Sequence, residues 1–141
     1  MKKDEQIVEI KFFDFEISHQ SISKTLDIEP TGFWKKGETY TVGPIGKEKA
    51  LIRNNSYWGF GVSRITNNSI GELIKEFIET IVTPRINEIK SISDKCHAEF
   101  GVVQYVYEGV NPGLHLNKNQ IEILNKCGLS LDIDFYVLQE E

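Results

Sequence analysis

The sequence has few cysteines and no long apolar run. Cys96 and Cys127 are the two cysteines in 141 residues, too few for the disulfide framework that stabilises many small secreted domains. Its uninterrupted apolar stretches are far shorter than the ~20 residues that span a bilayer. The N-terminal Met-Lys-Lys-Asp-Glu-Gln leads directly into a strand-like segment and lacks the apolar core of a signal peptide. We therefore expect a cytoplasmic protein without a membrane partner.

An excess of basic residues is also missing. The chain carries 16 lysines and arginines against 21 acidic residues, a net charge of −5. Nucleic-acid-binding proteins present a basic surface to phosphates, so the charge argues against a nucleic acid as partner. The charge is unevenly spread, because residues 31–54 hold five basic and two acidic side chains.

What remains is the composition of one ordinary globular domain. Hydrophobic residues make up 40% and charged residues 26% of the chain, which is typical of soluble domains. A length of 141 residues fits one domain, with its core at about residues 6–138. The composition excludes a collagen-like, coiled-coil or disordered chain.

Apolar periodicity predicts the strands and helices. Alternating apolar residues predict strands over residues 6–17, 56–63, 97–107 and 129–138 and a short strand near 38–42. Apolar residues spaced three and four apart predict helices over residues 19–28, 69–82 and 117–126. Pro30 is expected to end the first helix, and Pro84 to begin another. Gly128 suits a left-handed helix end.

The order of these elements predicts the fold class. Helices alternate with strands, and part of the sheet is expected to be antiparallel. This indicates an α+β fold, a mainly antiparallel sheet with helices packed on one face. The preferred topology is a ferredoxin-like or duplicated split βαβ core.

The apolar patterns at the two ends of the chain predict how these segments pack. The alternation in the first strand changes phase between Phe12 and Phe13, which indicates either a bulge or burial on both faces. In the last strand and the helix before it, several apolar side chains are expected to point inward. These are Ile121, Leu124, Cys127, Leu129, Leu131, Ile133 and Phe135.

A glycine-rich segment with aromatic and basic residues is a candidate ligand site. Trp34, Lys35 and Lys36 precede a long loop at residues 43–54, Arg53 lies near the end of this loop, and Tyr57 follows it. An aromatic ring beside cations can bind a phosphate or stack on a base. Alternatively, Trp34 folds back to plug the edge of the sheet and the lysines are simply solvated. No phosphate-binding loop motif occurs in the sequence.

Two carboxylate pairs are candidates for a second kind of site. Asp14/Glu16 and Asp132/Asp134 are each spaced by two residues, which puts each pair on one face of a strand. They could bind a divalent cation or act as an acid–base pair. They could also form a solvated face, pair with Lys11, or meet a basic protein partner.

The remaining candidates give weak signals. Gly59 and Gly61 share a strand face with Tyr57, where a helix backbone could approach or a ligand could sit; helix packing is the preferred interpretation. His19, His97 and His115 show no zinc-ligand spacing with the cysteines. We therefore predict no metal, no cofactor and no catalytic residue.

Two segments resemble a known bacterial family. Residues 26–37, Leu-Asp-Ile-Glu-Pro-Thr-Gly-Phe-Trp-Lys-Lys-Gly, are similar to the helix end, Pro-Thr, Trp and Lys-Gly segment of the domain of unknown function DUF4279. The ending at residues 124–136, Leu-Asn-Lys-Cys-Gly-Leu-Ser-Leu-Asp-Ile-Asp-Phe-Tyr, is similar too, as are the strand with Trp58 and the long apolar helix that follows it. The resemblance covers roughly residues 7–138, and loop 43–54 departs from it. It implies a bacterial cytosolic α+β domain, with no assigned activity, catalytic residue or cofactor.

These observations favour a non-enzymatic role through protein–protein contact. Small acidic proteins of such families often accompany toxins as immunity proteins, which is an argument by analogy. The leading hypothesis is an immunity-type protein that presents an acidic sheet face to a basic partner such as a toxin. The alternative is a small-ligand or nucleotide/phosphate-binding module. A hydrolase would require carboxylates that converge in one pocket.

Overall fold

The computed structural model of the protein describes residues 4–107, 109 and 111–139. The strands are β1 (Glu5–Phe13), β2 (Gly32–Trp34), β3 (Thr39–Val42), β4 (Lys49–Ile52), β5 (Tyr57–Ile65), β6 (His97–Tyr107) and β7 (Ser130–Leu138). The α-helices are α1 (His19–Leu26), α2 (Ile70–Phe77), α3 (Ile86–Ser93) and α4 (Lys118–Lys126). A π-helical turn (Ile78–Val82) and a 3₁₀ turn (Thr83–Arg85) join α2 to α3. Among the described residues, no helix is both long and apolar enough to cross a bilayer.

The strands form one five-stranded sheet and one hairpin. The large sheet has the order β2-β5-β1-β6-β7, and β3 pairs with β4 separately. Strand β1 is antiparallel to both β5 and β6, so β5 and β6 run parallel to each other with β1 between them. The connection through α2 and α3 is therefore a split βαβ unit. The predicted α+β class is confirmed.

The expected ferredoxin-like or duplicated split βαβ core is confirmed, because β2 and β1 are both antiparallel to β5. Strands β1 and β2, joined by α1, therefore run parallel with β5 between them and form a second split unit. The last strand extends this core. Strand β7 is parallel to β6 and directly beside it. The β6–α4–β7 segment thus adds a βαβ unit with neighbouring strands to this core, and among the described strands the split arrangement occurs twice.

The helices cover one face of the sheet, and the core lies between the two layers. Strand β1 contributes Val8, Ile10 and Phe12 to this face, each fully buried, because alternate side chains of a strand point the same way. Trp58 lies beside Phe12, and its indole Nε1 donates to Ser23 Oγ at 3.0 Å. The helices contribute the buried apolar stripes that the sequence predicts, Ile22, Leu26, Leu73, Ile74, Phe77, Ile89, Ile92 and Leu124.

Polar side chains cap the starts of two of the helices. Ser69 caps α2, and Asn117 forms a capping box with Gln120 at the start of α4. Helix α1 is shorter than the predicted helix 19–28. It begins after Ser18 and ends at Leu26, and the next residue, Asp27, adopts φ 55°. The left-handed residue, not Pro30, ends this helix.

The phase change in the first strand marks its end. Strand β1 stops at Phe13, and Asp14 has φ 56°, which turns the chain out of the sheet. Phe15 then packs into the core at the side of α1. Neither a bulge nor burial on both faces is needed to explain the pattern. Asp14 and Glu16 therefore do not share a strand face, contrary to the sequence prediction.

Two further expectations are wrong. The predicted loop 43–54 contains β4, which pairs with β3 to form a hairpin. Ile121 is exposed, because α4 packs through Leu124, Ile123 and the following Cys127. In β7, Leu129 is buried just before the strand begins. Leu131, Ile133 and Phe135 point to the helix side as expected, but they are about half exposed at 45%, 48% and 48%.

The turn after α4 generates a stability prediction. Gly128 has φ 71°, and a Cβ added there would collide with Ser93 Oγ at 2.5 Å. Gly113 has a similar φ of 67° but open space around it. We expect Gly113→Ala to cost about 1 kcal/mol, from backbone strain alone, and Gly128→Ala to cost about 2–3 kcal/mol.

Urea unfolding of the two variants measures this difference. Equal losses in the free energy of unfolding would contradict the close packing of the turn against α3.

Candidate functional site

The face of the sheet opposite the helices is the candidate site, and we call it the open face. Side chains on this face alternate with those in the core, so they are set by the strand registers. It is formed by Trp34 of β2; Tyr57, Gly59, Gly61, Ser63 and Ile65 of β5; Glu5, Ile7, Glu9, Lys11 and Phe13 of β1; His97, Glu99, Gly101, Val103 and Tyr105 of β6; and Asp132, Asp134, Tyr136 and Leu138 of β7.

Glycines form the floor of the open face. A Cβ at Gly59 would collide with the hydroxyl of Tyr57, whose side chain lies over that glycine. A Cβ at Gly101 would lie 2.9 Å from Glu9 Cγ and 3.0 Å from Lys11 Cε. The glycines let these longer side chains lie flat on the sheet. The predicted helix contact at Gly59 and Gly61 is wrong, since the helices lie on the other face.

An acidic cluster with one lysine lies at the centre and β7 side of this face. We define the acidic cluster as Glu9, Glu99, Asp132 and Asp134. The Lys11 ammonium lies 3.1 Å from Asp132 Oδ2, 3.5 Å from Glu9 Oε1 and 3.7 Å from Glu99 Oε1. Asp134 follows on the same face, opposite Val103 of β6. Three carboxylates around one ammonium, with Asp134 as a fourth on the same face, leave this part of the face negatively charged.

Lys11 holds the acidic cluster together. Its side chain is only 11% exposed. Burial alone would lower the pKa of Lys11, but its hydrogen bond to Asp132 and the charges of Glu9 and Glu99 outweigh that effect and raise the pKa above 10.5. The predicted pairing of Asp132 with Lys11 is confirmed.

The four predicted partner-binding carboxylates do not converge. Asp132 and Asp134 lie on β7, two strands away from β1. Asp14 and Glu16 lie in the exposed turn after β1, where the Asp14 N–H donates to Ser56 O at 3.1 Å. The arrangement does not give the single pocket of carboxylates that a hydrolase needs.

A stack of side chains ties the hairpin to the other side of the sheet. The ring of Trp34 stacks on Tyr57 at 4.2 Å between centroids. The Arg53 guanidinium lies 3.9 Å from the Trp34 ring and 3.7 Å from the Tyr40 ring. Trp34 Nε1 also donates to Asn55 Oδ1 at 3.2 Å. Each such cation–π contact stabilises by about 0.5–2 kcal/mol.

The stack brings together three of the five predicted ligand-binding residues. Trp34, Arg53 and Tyr57 are in contact, whereas Lys35 and Lys36 are exposed beyond them. Tyr57 and Arg53 both pack on the Trp34 ring, so a base that stacked on Trp34 would compete with them. Trp34 lies in the edge strand β2, and its ring packs against Tyr57 of the neighbouring strand β5.

A cleft that the sequence does not reveal lies between α1 and β2. It has a volume of about 600 Å³ and is lined by His19, Lys24, Glu29, Phe33 and Lys35 among others. His19 Nε2 donates to the carbonyls of Trp34 and Tyr57, at 2.9 and 3.1 Å. The ring is therefore held by strand backbones that are distant in sequence. Residue spacing carries no signal for such a contact.

The cysteine and histidine side chains do not form a reactive group. In the part of the chain that the structure describes, no three potential ligands are grouped for a metal ion. Burial raises the pKa of Cys96, and it raises the pKa of Cys127 to about 11. Both thiols are thus protonated at neutral pH, which makes them poor nucleophiles.

The position of Lys11 generates a prediction about stability and pH. Lys11→Met leaves neighbouring carboxylates without their counter-charge, so we expect a loss of about 1–2 kcal/mol in the free energy of unfolding at neutral pH. Because the pKa of Lys11 is higher in the folded state, its stabilisation is complete below 10.5 and is lost as the pH rises further. The difference between wild type and variant should shrink in that range.

Urea unfolding across this pH range tests it, with Lys75→Met on the exposed side of α2 as the matched control. A difference that stays constant up to about pH 12 would contradict the assigned role of Lys11.

The comparisons with known proteins give a family and no nearer relative. Neither a curated protein nor a solved structure gives a significant match. The family model described as "Domain of unknown function (DUF4279)" matches residues 4–138, which includes both sheets and all the helices described above. The chain therefore belongs to the DUF4279 family.

Proposed function

We propose that the protein is a non-enzymatic interaction module that binds a basic protein partner through its open face. The observation that carries the proposal is the acidic cluster, in which one lysine contacts three carboxylates and Asp134 adds a fourth, on the sheet face that none of the described helices covers. Complementary charge accelerates association and excludes partners of like charge.

The open face has the side chains of a protein-binding surface. Tyr105 and Tyr136 stack at 5.0 Å between centroids beside the acidic cluster, and Ile65 on the same face is 71% exposed. Aromatic residues are enriched in protein interfaces, because they bury a large area with few rotatable bonds. The combination supports contact with a folded surface better than entry of a small molecule, since the glycine floor leaves the face shallow.

The position of Lys11 also supports recognition. The ammonium sits where repulsion among Glu9, Glu99 and Asp132 would be greatest, and it fixes their orientation before binding. A preorganised surface loses less side-chain entropy on association. Asp134, at the β7 end of the acidic cluster, is left to contact a partner's cation.

The specific form of the proposal is an immunity-type protein whose partner is a basic toxin. The net charge of −5 and the acidic cluster support this form. That the protein works in the cytoplasm of a bacterium is part of the same proposal.

Co-expression with the product of a neighbouring gene, followed by affinity purification, tests the proposal directly. We expect a complex that weakens as salt rises, and rescue of growth when that product is toxic. Asp134→Lys should weaken binding by about tenfold through charge reversal. Glu79→Lys makes the same change on the helix side and should alter binding less than about twofold.

Failure to recover any complex, together with no rescue of growth, would remove the proposal. Equal weakening by Asp134→Lys and Glu79→Lys would place the contact elsewhere on the molecule.

The cleft between α1 and β2 supports a second candidate, a small-ligand or nucleotide/phosphate-binding module. Its volume of about 600 Å³ is in the range of ligand sites, and Lys24 and Lys35 supply positive charge there. A thermal-shift screen with nucleotides and phosphorylated metabolites tests it. A ligand at 100 times its dissociation constant should stabilise the fold by about 2.7 kcal/mol, and Lys35→Met should reduce that shift. A panel without any shift would argue against the module.

A further inference from the structure

Strand β7 leaves an apolar edge of the large sheet unpaired. It is the last strand in the order β2-β5-β1-β6-β7, so its outer backbone groups have no strand beside them among the described residues. On its helix-side face Leu131, Ile133, Phe135 and Val137 are 45–56% exposed. Their neighbours on β6, Phe100 and Val102, are fully buried. The apolar helix-side face of the sheet thus continues to the β7 edge, where the described elements leave it about half exposed.

Apart from two aspartates, the strand carries none of the features that commonly protect an edge from pairing. Soluble proteins commonly place lysine, proline or a bulge there. The sequence Ser-Leu-Asp-Ile-Asp-Phe-Tyr-Val-Leu has no lysine, arginine, proline or glycine, and β7 pairs with β6 over nine consecutive residues without a bulge. Its two carboxylates, Asp132 and Asp134, both point to the open face.

We propose that β7 pairs with β7 of a second copy of the chain, antiparallel and about a two-fold axis at Phe135. In such a dimer the axis is perpendicular to the sheet, so the two sheets join into one continuous sheet. The open faces of both copies then lie on the same side of that sheet.

Charge selects this register from the alternatives. Residues that face each other across the axis must lie on the same face of the joined sheet. An axis at Asp134 opposes the two Asp134 side chains, and an axis at Ile133 opposes Asp132 to Asp134, and both arrangements place like charges in contact. An axis at Phe135 opposes Asp134 to Tyr136 and Ile133 to Val137. It pairs residues 132–138, seven of the nine residues of β7, whereas an axis at Tyr136 pairs only residues 134–138.

The apolar area at this edge matches what a stable interface needs. Leu131, Ile133, Phe135, Tyr136, Val137 and Leu138 are each 38–56% exposed. A large side chain that is half exposed offers roughly 70–110 Å², which gives on the order of 500 Å² of apolar surface per copy. A standard interface buries about 800 Å² per partner, of which somewhat over half is apolar.

Sedimentation equilibrium of the full chain over micromolar concentrations tests the dimer. We expect a mass twice the 16.2 kDa of the chain, and a monomer for Phe135→Lys, because a buried ammonium would have no partner in the seam. Ile45→Lys makes the same change at a side chain that is 98% exposed on the hairpin and should leave the dimer intact. A circular dichroism spectrum shows whether each variant is folded.

Cysteine cross-linking tests the register independently. Directly opposed residues of antiparallel strands have Cα atoms about 4.5–5.5 Å apart, within the range of a disulfide. Phe135→Cys should therefore form a covalent dimer under mild oxidation. Ile133→Cys should not, because the two copies of residue 133 would lie about 13 Å apart. The wild type, with Cys96 and Cys127, gives the background.

Three results would overturn the proposal. A wild type that stays monomeric over the whole micromolar range excludes the dimer. A dimer that Phe135→Lys leaves intact uses another surface. Cross-linking at position 133 in place of 135 contradicts the register and the charge argument behind it. None of these results bears on binding to a basic partner, which is tested by Asp134→Lys.

Discussion

The central strand β1 organises the molecule because its two faces have opposite tasks. Val8, Ile10 and Phe12 are fully buried under the helices, while Glu9 and Lys11 alternate with them on the open face. The strict two-residue period of a strand makes this division unavoidable. A shift of one residue would put an ion pair into the core and phenylalanine into water. The burial of β1 therefore fixes the position of the Lys11 ammonium, and with it the arrangement of the acidic cluster.

Much of the fold could be predicted from the sequence, because the physical signals are local. The stripe Ile70, Leu73, Ile74 and Phe77 has the spacing of a buried helix face and gives α2 directly. The alternation of Trp58, Phe60 and Val62 gives β5 in the same way. The end of β1 at Asp14 was harder to predict, because a left-handed conformation at an aspartate leaves almost no trace in an apolar pattern. Whether a side chain at the edge of a sheet is buried depends on elements distant in sequence. The exposure of Leu131 and Ile133 therefore could not be predicted from the apolar pattern of β7.

The candidate site could be predicted only in part. The ion pair of Lys11 with Asp132 joins residues 121 positions apart, and their adjacency depends on a strand order that no spacing encodes. Asp14 and Glu16 have the same spacing as Asp132 and Asp134, yet they lie outside any strand. The contact of Arg53 with Trp34 likewise depends on the hairpin, which the glycine-rich composition of residues 43–54 conceals. The residue types indicated an acidic surface and a contact between an aromatic ring and a cation. The tertiary structure decides which carboxylates, rings and cations come into contact.

The Arg53 stack has a further consequence for how the molecule can be handled. Strands β3 and β4 pair only with each other among the described strands, and the guanidinium between Trp34 and Tyr40 holds the base of this arm. The turn at its far end, around Gly43 and Gly46, is exposed and carries no core residue. Exposed turns of this kind tolerate added sequence well. The tip therefore offers a place for a fluorophore or an epitope that reports on the protein from a distance, with the packed layers left as they are.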